Sequence, residues 1–388
     1  MDVRNMEDIT LFRNGRILTS QGWIRNGSLL VRGSKILEIS KVEETPDNCT
    51  TIIDAHGGEI VPGAIELHAH GANGHNFEEA TETAFREAIK THLYHGTTSI
   101  YPTIASTSLD TAKEALRLTE ELMTEPDSPI LGLHLEGPYL NPKMTGEQQS
   151  KHIVPFHPEV YKELIRSYKC LKRWDAAPEI EGAEDFGAYC VRHGVLPAIA
   201  HTQALYQDVY NAYEAGFSHV THFYNGMTYF HKTKDYKHEG TVESILAIPG
   251  FTTEVIFDGI HLPYAVLRMI YILKGVEKIA LITNAHAGTG FKKSQEDNKH
   301  GTRETATVMD NLIQVAVKKV GIQFEDAVRM SSETPARIMG ELNHVGVLRN
   351  GYDANICIYD TEANLMFVMQ KGKIFRNDLE RNPYAINQ

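Results

Sequence analysis

The chain is poor in cysteine, tryptophan and positive charge. Its four cysteines (Cys49, Cys170, Cys190, Cys357) are scattered over 388 residues with no Cys-x-x-Cys pair. That usage excludes a dense disulfide framework and reads as reduced thiols in a cytoplasmic protein. No apolar run approaches the roughly 20 residues that cross a bilayer, and Met1 to Asp8 lacks the apolar core of a secretion signal. Lysine and arginine number 38 against 50 acidic residues, a formal charge of −12. Such a balance argues against nucleic acid or an anionic membrane as the main partner. An anionic small substrate stays open, because a local pocket can oppose the global sign.

What the chain has is ample apolar material, 42% of residues, in two different patterns. Its length suits two average domains or one large barrel with an appendage. The first sixty residues and the last forty-five give short β-like runs (Leu29–Val31, Lys35–Ile39, Ala354–Tyr359, Leu365–Met369) separated by Asn-Gly and Gly-Ser turns. Neither end suffices for a core, so residues 1–61 and 344–388 are expected to form one small β-sandwich. Residues 62–343 alternate strand-like and helix-like segments. Eight strand candidates end near His70, Ala105, Glu136, Ile180, His201, Asn225, Asp258 and Asn284. Helical stretches include Glu78–His95, Leu109–Met123, Ala183–His193, Leu205–Ala215 and Pro263–Lys274. This series predicts a (β/α)₈ TIM-like barrel, which needs about 250 residues and carries its chemistry at the carboxyl ends of its strands. The polar stretch from Phe291 to Arg303 reads as a lid or mobile loop.

Metal-ligand residue types gather at those ends. His68 and His70 lie two apart, so a strand points both imidazoles to one face. Glu136 closes Leu133-His134-Leu135-Glu136, and His201 and His222 each close an apolar run. Any one of these has a bland structural reading, but four strand ends of one barrel carrying ligand types together do not. Imidazole and carboxylate suit Zn²⁺, with Fe²⁺, Mn²⁺ or Co²⁺ as alternatives, in one or two copies. A divalent ion held there lowers the pKa of its water and polarises a carbonyl.

Several motifs occur in order: Pro62-Gly63-Ala64-Ile65-Glu66-Leu67-His68-Ala69-His70-Gly71, His134-Leu135-Glu136-Gly137-Pro138-Tyr139, Ala177-Pro178-Glu179, His222-Phe223-Tyr224-Asn225-Gly226-Met227 and Asp258-Gly259-Ile260-His261. The set resembles N-acetylglucosamine-6-phosphate deacetylases of the amidohydrolase superfamily, through nearly the whole chain. The resemblance implies a metal-dependent barrel that removes an acetyl group from an amino-sugar phosphate, and a homodimer. By motif position it implies Glu136, His201 and His222 as principal metal ligands and His68 and His70 as the pair used for a second metal. It further implies substrate contacts at Gln148, Asn225, Gly226 and His261.

Two departures shape the expectation. Asn284 stands at the family's Asp position, the general acid/base, and an amide cannot accept and return a proton near neutral pH. After Met227, lysines 232, 234 and 237 with His231 and His238 stand where many members have a phosphate-binding arginine. The expected function is deacetylation of N-acetylglucosamine 6-phosphate, impaired at Asn284. The alternatives are an N-acetylgalactosamine 6-phosphate or other N-acyl substrate, or an inert sugar-phosphate-binding protein.

Overall fold

A computed structural model describes residues 9–42, 49–290 and 307–380. The lid expected between Phe291 and Arg303 lies outside the described residues. Eight parallel strands follow one another in chain order: β1 (Ala64–Ala69), β2 (Thr97–Ala105), β3 (Leu133–Glu136), β4 (Leu171–Ala176), β5 (Leu196–Ile199), β6 (His219–Val220), β7 (Thr252–Val255) and β8 (Ile279–Leu281). The ring closes just beyond the last ladder. His70 N donates to Ala285 O at 2.7 Å and Asn284 N to His68 O at 3.0 Å. Thr283 N donates to the Glu66 carboxylate at 3.1 Å.

Between the strands run α1 (Glu82–Tyr94), α2 (Leu109–Met123), α3 (Pro158–Ser167), α4 (Ala183–Arg192), α5 (Tyr206–Glu214), α6 (Thr241–Ala247) and α7 (Tyr264–Lys274). After β8 come α8 (Met309–Lys318), α9 (Phe324–Ser331) and α10 (Glu333–Met339). The reason α2 begins where it does is local. Ser108 Oγ accepts from Thr111 N at 3.1 Å, capping the first turn, while Ala115, Leu116, Leu118 and Leu122 bury one face.

Alternation along the strands separates two environments. On the outer face of β4, Trp174 stacks 5.6 Å from Tyr139 and meets Phe186 edge-on at 5.4 Å. Ile65 and Leu67 of β1 cluster with Ala336 of α10. The alternate positions (Glu66, His68, His134, Glu136, Arg173, Asp175, His219, Glu254) are buried and ionisable. Barrels of this kind usually fill their centre with branched aliphatic residues. Here charge replaces them. Arg173 forks onto both Glu254 oxygens, and His134 Nε2 lies 2.9 Å from Asp175 Oδ1.

The chain ends supply two further sheets. One orders Lys35–Ser40, Ser28–Arg32, Ile9–Arg13 and Cys49–Asp54; the other orders Lys373–Asn377, Leu365–Gln370, Ile356–Tyr359, Glu59–Pro62, Arg16–Thr19 and Gly22–Ile24. Cys357 pairs antiparallel with Val61, so the two ends share one sheet. Phe12, Leu29, Val31 and Ile53 pack against Ile60, Ile356, Ile358 and Phe367 as the sandwich core. Four strands proved shorter than the sequence suggests. β4 stops at Ala176, β6 at Val220, β7 at Val255 and β8 at Leu281, because the apolar runs continue into turns that leave the ladder. Among the described residues no helix is long and apolar enough to cross a membrane.

Candidate metal centre

Four imidazoles from three strand ends converge on the carboxylate of Glu136 at a fourth. Glu136 Oε1 lies 2.9 Å from His201 Nε2 and 2.8 Å from His222 Nε2. Its other oxygen lies 3.2 Å from His70 Nε2 and 3.9 Å from His68 Nε2. The two Nε2 atoms of His68 and His70 are 3.2 Å apart. Among the described residues three triads have the spacing to hold a metal ion: Glu136–His201–His222 and His68–His70–Glu136, which share Glu136, and His68–His134–Asp175 deeper in the barrel.

The far sides of three of the four rings are held by hydrogen bonds as well, and that of His68 has only a longer approach. His201 Nδ1 meets the Met144 carbonyl at 2.7 Å, and His222 Nδ1 the Asn225 carbonyl at 3.1 Å. His70 Nδ1 meets Glu78 at 3.1 Å, and His68 Nδ1 lies 3.4 Å from Glu254 Oε2. Acceptors at Nδ1 keep the proton there and turn the Nε2 lone pair inward. Lone pairs facing carboxylate oxygens at these distances repel unless a proton or a cation stands between them. Burial alone would raise the Glu136 pKa, yet the imidazoles around it hold its carboxyl well below the usual range. Burial likewise opposes charging His70, but Glu136 and Glu78 push it up to about 10. The donor set fits a divalent cation, whose binding releases such protons.

Backbone geometry places the ligand candidates. His201 (φ 45°), His222 (φ 28°) and Asn284 (φ 50°) each lie just past a strand end in the left-handed region, which non-glycine residues rarely adopt. Three such residues around one cleft mark the strain that functional sites hold. Two glycines make room for the His201 ring. A Cβ on Gly226 would stand 2.9 Å from its Nδ1, and one on Gly146 3.0 Å from its Cε1; both glycines have positive φ.

The remaining candidates fall into place differently. Gln148, expected at the sugar, donates from Nε2 to Glu136 Oε2 at 2.6 Å and accepts from Ser106 N at 2.7 Å. Asn225 folds back on His222 O through Nδ2 at 3.2 Å, and Gly226 O accepts from Thr202 N at 2.9 Å. His261 stands apart on the loop after β7, partly exposed, its Nδ1 2.6 Å from Asp258 Oδ2. Asn284 is half-buried and joins the cluster through its backbone. Sequence reasoning missed Glu78 and Glu254. For Glu254 the local signal is weak, since its strand Thr252–Val255 reads Thr-Thr-Glu-Val. For Glu78 there was none, since only the turn after β1 brings it to His70.

Known proteins sharpen this picture. The chain is 26% identical over 396 residues to N-acetylglucosamine-6-phosphate deacetylase of Bacillus subtilis, spanning 95% of this chain and 98% of that one. It is 25% identical to N-acetylgalactosamine-6-phosphate deacetylase of Escherichia coli O157:H7, spanning 94% and 98%. The crystal structure of N-acetylglucosamine-6-phosphate deacetylase from Pasteurella multocida superposes with a TM-score of 0.87 at 27% identity, spanning 95% of this chain and all of that one. The Amidohydrolase family profile matches residues 60–382, which hold the barrel and all five converging ligand candidates. With its parallel barrel, its strand-end imidazoles and this match, the chain belongs to the amidohydrolase family.

Proposed function

We propose that this chain is a divalent-metal-dependent deacetylase scaffold acting on N-acetylglucosamine 6-phosphate, slowed by Asn284. The observation that carries the reading is Glu136, faced by four imidazole nitrogens, with the opposite nitrogens of His70, His201 and His222 held by acceptors and that of His68 3.4 Å from Glu254. Glu136, His201 and His222 would hold the principal ion, and His68 and His70 a second. The chemistry an ion would supply there is activation of water and polarisation of the acetyl carbonyl. The chain's own groups do the rest. Gln148 fixes the Glu136 carboxylate, and the turn at Asn225 and Gly226 fixes His222 and His201. A carboxyl group at position 284 would receive the proton of the attacking water and pass it to the departing amine; the Asn284 amide can do neither.

The phosphate end is supported by a hairpin, His231–Thr233 with Tyr236–His238, that follows this turn. Lys232 and Lys237 sit directly opposite each other across it, like charges that an anion would relieve. Its exposed Tyr229, Phe230 and Tyr236 support a homodimer contact. The galactosamine epimer is a second substrate reading, favoured by the relative that acts on it. A sugar-phosphate-binding protein without turnover is the other, favoured by Asn284.

The test is elemental analysis together with acetate release from N-acetylglucosamine 6-phosphate. Retained divalent metal with slow release supports the reading. Absence of metal, and no release after metal is supplied, refutes it.

A further inference from the structure

Beneath the converging ligands lies Glu254, buried at the barrel centre. Its carboxylate touches groups from three strands. Oε2 lies 3.4 Å from His68 Nδ1 and accepts the backbone N–H of His222 at 3.4 Å, and Oε1 lies 3.5 Å from His219 Nε2. Arg173 binds both oxygens and also donates to Thr221 Oγ1 at 2.6 Å. Thr221 in turn donates to Asp175 at 2.7 Å. The carboxylate is thus fixed from below, with one oxygen left to face His68.

We propose that Glu254 is a positioning residue that fixes the His68 tautomer and thereby makes the His68–His70 pair a second cation site. This rests on the reading of His68 as a metal ligand. The argument is one of competing acceptors. On the Nδ1 side of His68 the acceptor is Glu254. On the Nε2 side stand His70 Nε2 at 3.2 Å and Glu136 Oε2 at 3.9 Å. While Glu254 is present, the ring proton stays on Nδ1 and the Nε2 lone pair is free to ligate. Without it, the ring proton moves to Nε2, toward His70 and Glu136, and that nitrogen can no longer bind a metal.

Charge points the same way. Glu78, Glu136, Asp175 and Glu254 are four carboxylates around these imidazoles, and with the Arg173 guanidinium they sum to a formal −3; Glu66, which accepts from His68 N, is pushed up to about 8 by burial and adds little charge near neutral pH. One divalent ion leaves this cluster at −1 and two bring it to +1. Deleting the Arg173–Glu254 pair together leaves that sum unchanged. Any loss of the second ion would then report the tautomer rather than bulk charge.

The experiment compares the full-length chain with the Arg173→Met/Glu254→Met double variant. Removing both partners leaves neither Arg173 nor Glu254 as a lone buried charge, and Asp175, which loses its Arg173 contact, keeps His134. Two readouts are taken. The first is the His68 tautomer in metal-free protein, by nitrogen-15 NMR of labelled histidine, assigned with His68→Asn. The second is Co²⁺ stoichiometry and affinity by equilibrium dialysis. The original chain should carry the proton on Nδ1 and bind two Co²⁺. The double variant should move the proton to Nε2 and bind its second Co²⁺ about 10–100-fold more weakly, with the first little changed.

A proton on Nε2 in the original chain overturns the proposal, even if the double variant does not fold. So does an unchanged second affinity, or equal weakening of both sites. An original chain that binds one Co²⁺ overturns the second-cation part. Binding no metal at all would sink the metalloenzyme reading, while the NMR measurement still decides the role of Glu254 in setting the tautomer.

Discussion

The backbone amide of Asn284 donates to the carbonyl of His68 at 3.0 Å, so the end of the last barrel strand is registered on a ligand candidate of the first. Position 284 is therefore set by main chain, and its side chain is free to differ without moving the site. The left-handed φ of 50° there suits asparagine and aspartate alike. Asn284→Asp should raise deacetylation by about 10²-fold or more. Affinity for N-acetylglucosamine 6-phosphate should change little. Steady-state kinetics and calorimetry on both proteins decide this; a variant that binds but gains no turnover favours the binding-protein reading.

Metal removal should destabilise the chain, because the ion binds only the folded arrangement of Glu136 and its facing imidazoles. Any ion bound only by the folded state adds about 2.7 kcal/mol at a hundredfold excess over Kd. Dialysis against a chelator should therefore lower Tm, and added Zn²⁺ should restore it. His201→Ala should weaken this response, since the ring lies 2.9 Å from Glu136 and is boxed by Gly146 and Gly226. An unchanged metal response of Tm in the His201→Ala protein would count against the assignment.

Much of this site was legible because barrel geometry turns a one-dimensional pattern into a location. His68, His70, Glu136, His201 and His222 all close apolar runs, and the fold brings such ends together. The helical stretch expected over Leu109–Met123 is α2 with the same bounds. The supporting residues were not legible. Glu254 meets Arg173 across 81 positions, and nothing local in either strand announces the pair. Gln148 was expected beside the sugar, and the fold turns its amide onto Glu136, a contact the sequence did not announce. The ends of β4, β6, β7 and β8 were misplaced by a few residues for a related reason. Apolar character continues past the ladder there, and hydrogen bonding rather than composition ends a strand.

Acid should weaken the fold through His92. This ring is buried in α1, with Nε2 3.3 Å from the Gly71 carbonyl. Burial lowers its pKa to about 4, and the nearby His95 adds to the fall. The unfolded chain then takes up the proton first, near the ordinary pKa of about 6.5. His92 leaves stability intact above that pH and removes about 3 kcal/mol as pH falls to 4. Urea melts of the original chain and His92→Gln across this range should converge toward acid pH. Parallel curves would refute the assignment.

Packing outside the barrel wall predicts a large cavity cost at Phe186. Its ring is fully buried and touches Tyr139, Phe156, Tyr161 and Trp174, with centroids 5.1 to 5.6 Å away. Four aromatic neighbours on α3, β4 and the loop between β3 and α3 cannot all collapse into the space left behind. Phe186→Ala should cost about 3–5 kcal/mol by chemical denaturation. A loss below 1 kcal/mol would mean that this cluster repacks freely.

The hairpin lysines should govern recognition of phosphate rather than chemistry. Lys232 and Lys237 are exposed, face each other across the two short strands, and follow the turn that holds His222 and His201. Without an anion their opposition is mildly destabilising, so removing both charges should leave the hairpin intact or slightly steadier. With the sugar phosphate bound, the same charges act as point attractions. The Lys232→Ala/Lys237→Ala protein, made in the Asn284→Asp background for measurable turnover, should raise KM for N-acetylglucosamine 6-phosphate about tenfold, roughly 1.4 kcal/mol of lost binding. Its kcat should hold, and N-acetylglucosamine without the phosphate should be turned over as before. The effect should shrink at high ionic strength, as attraction between exposed charges does. Equal losses for both sugars would place these lysines outside the phosphate site.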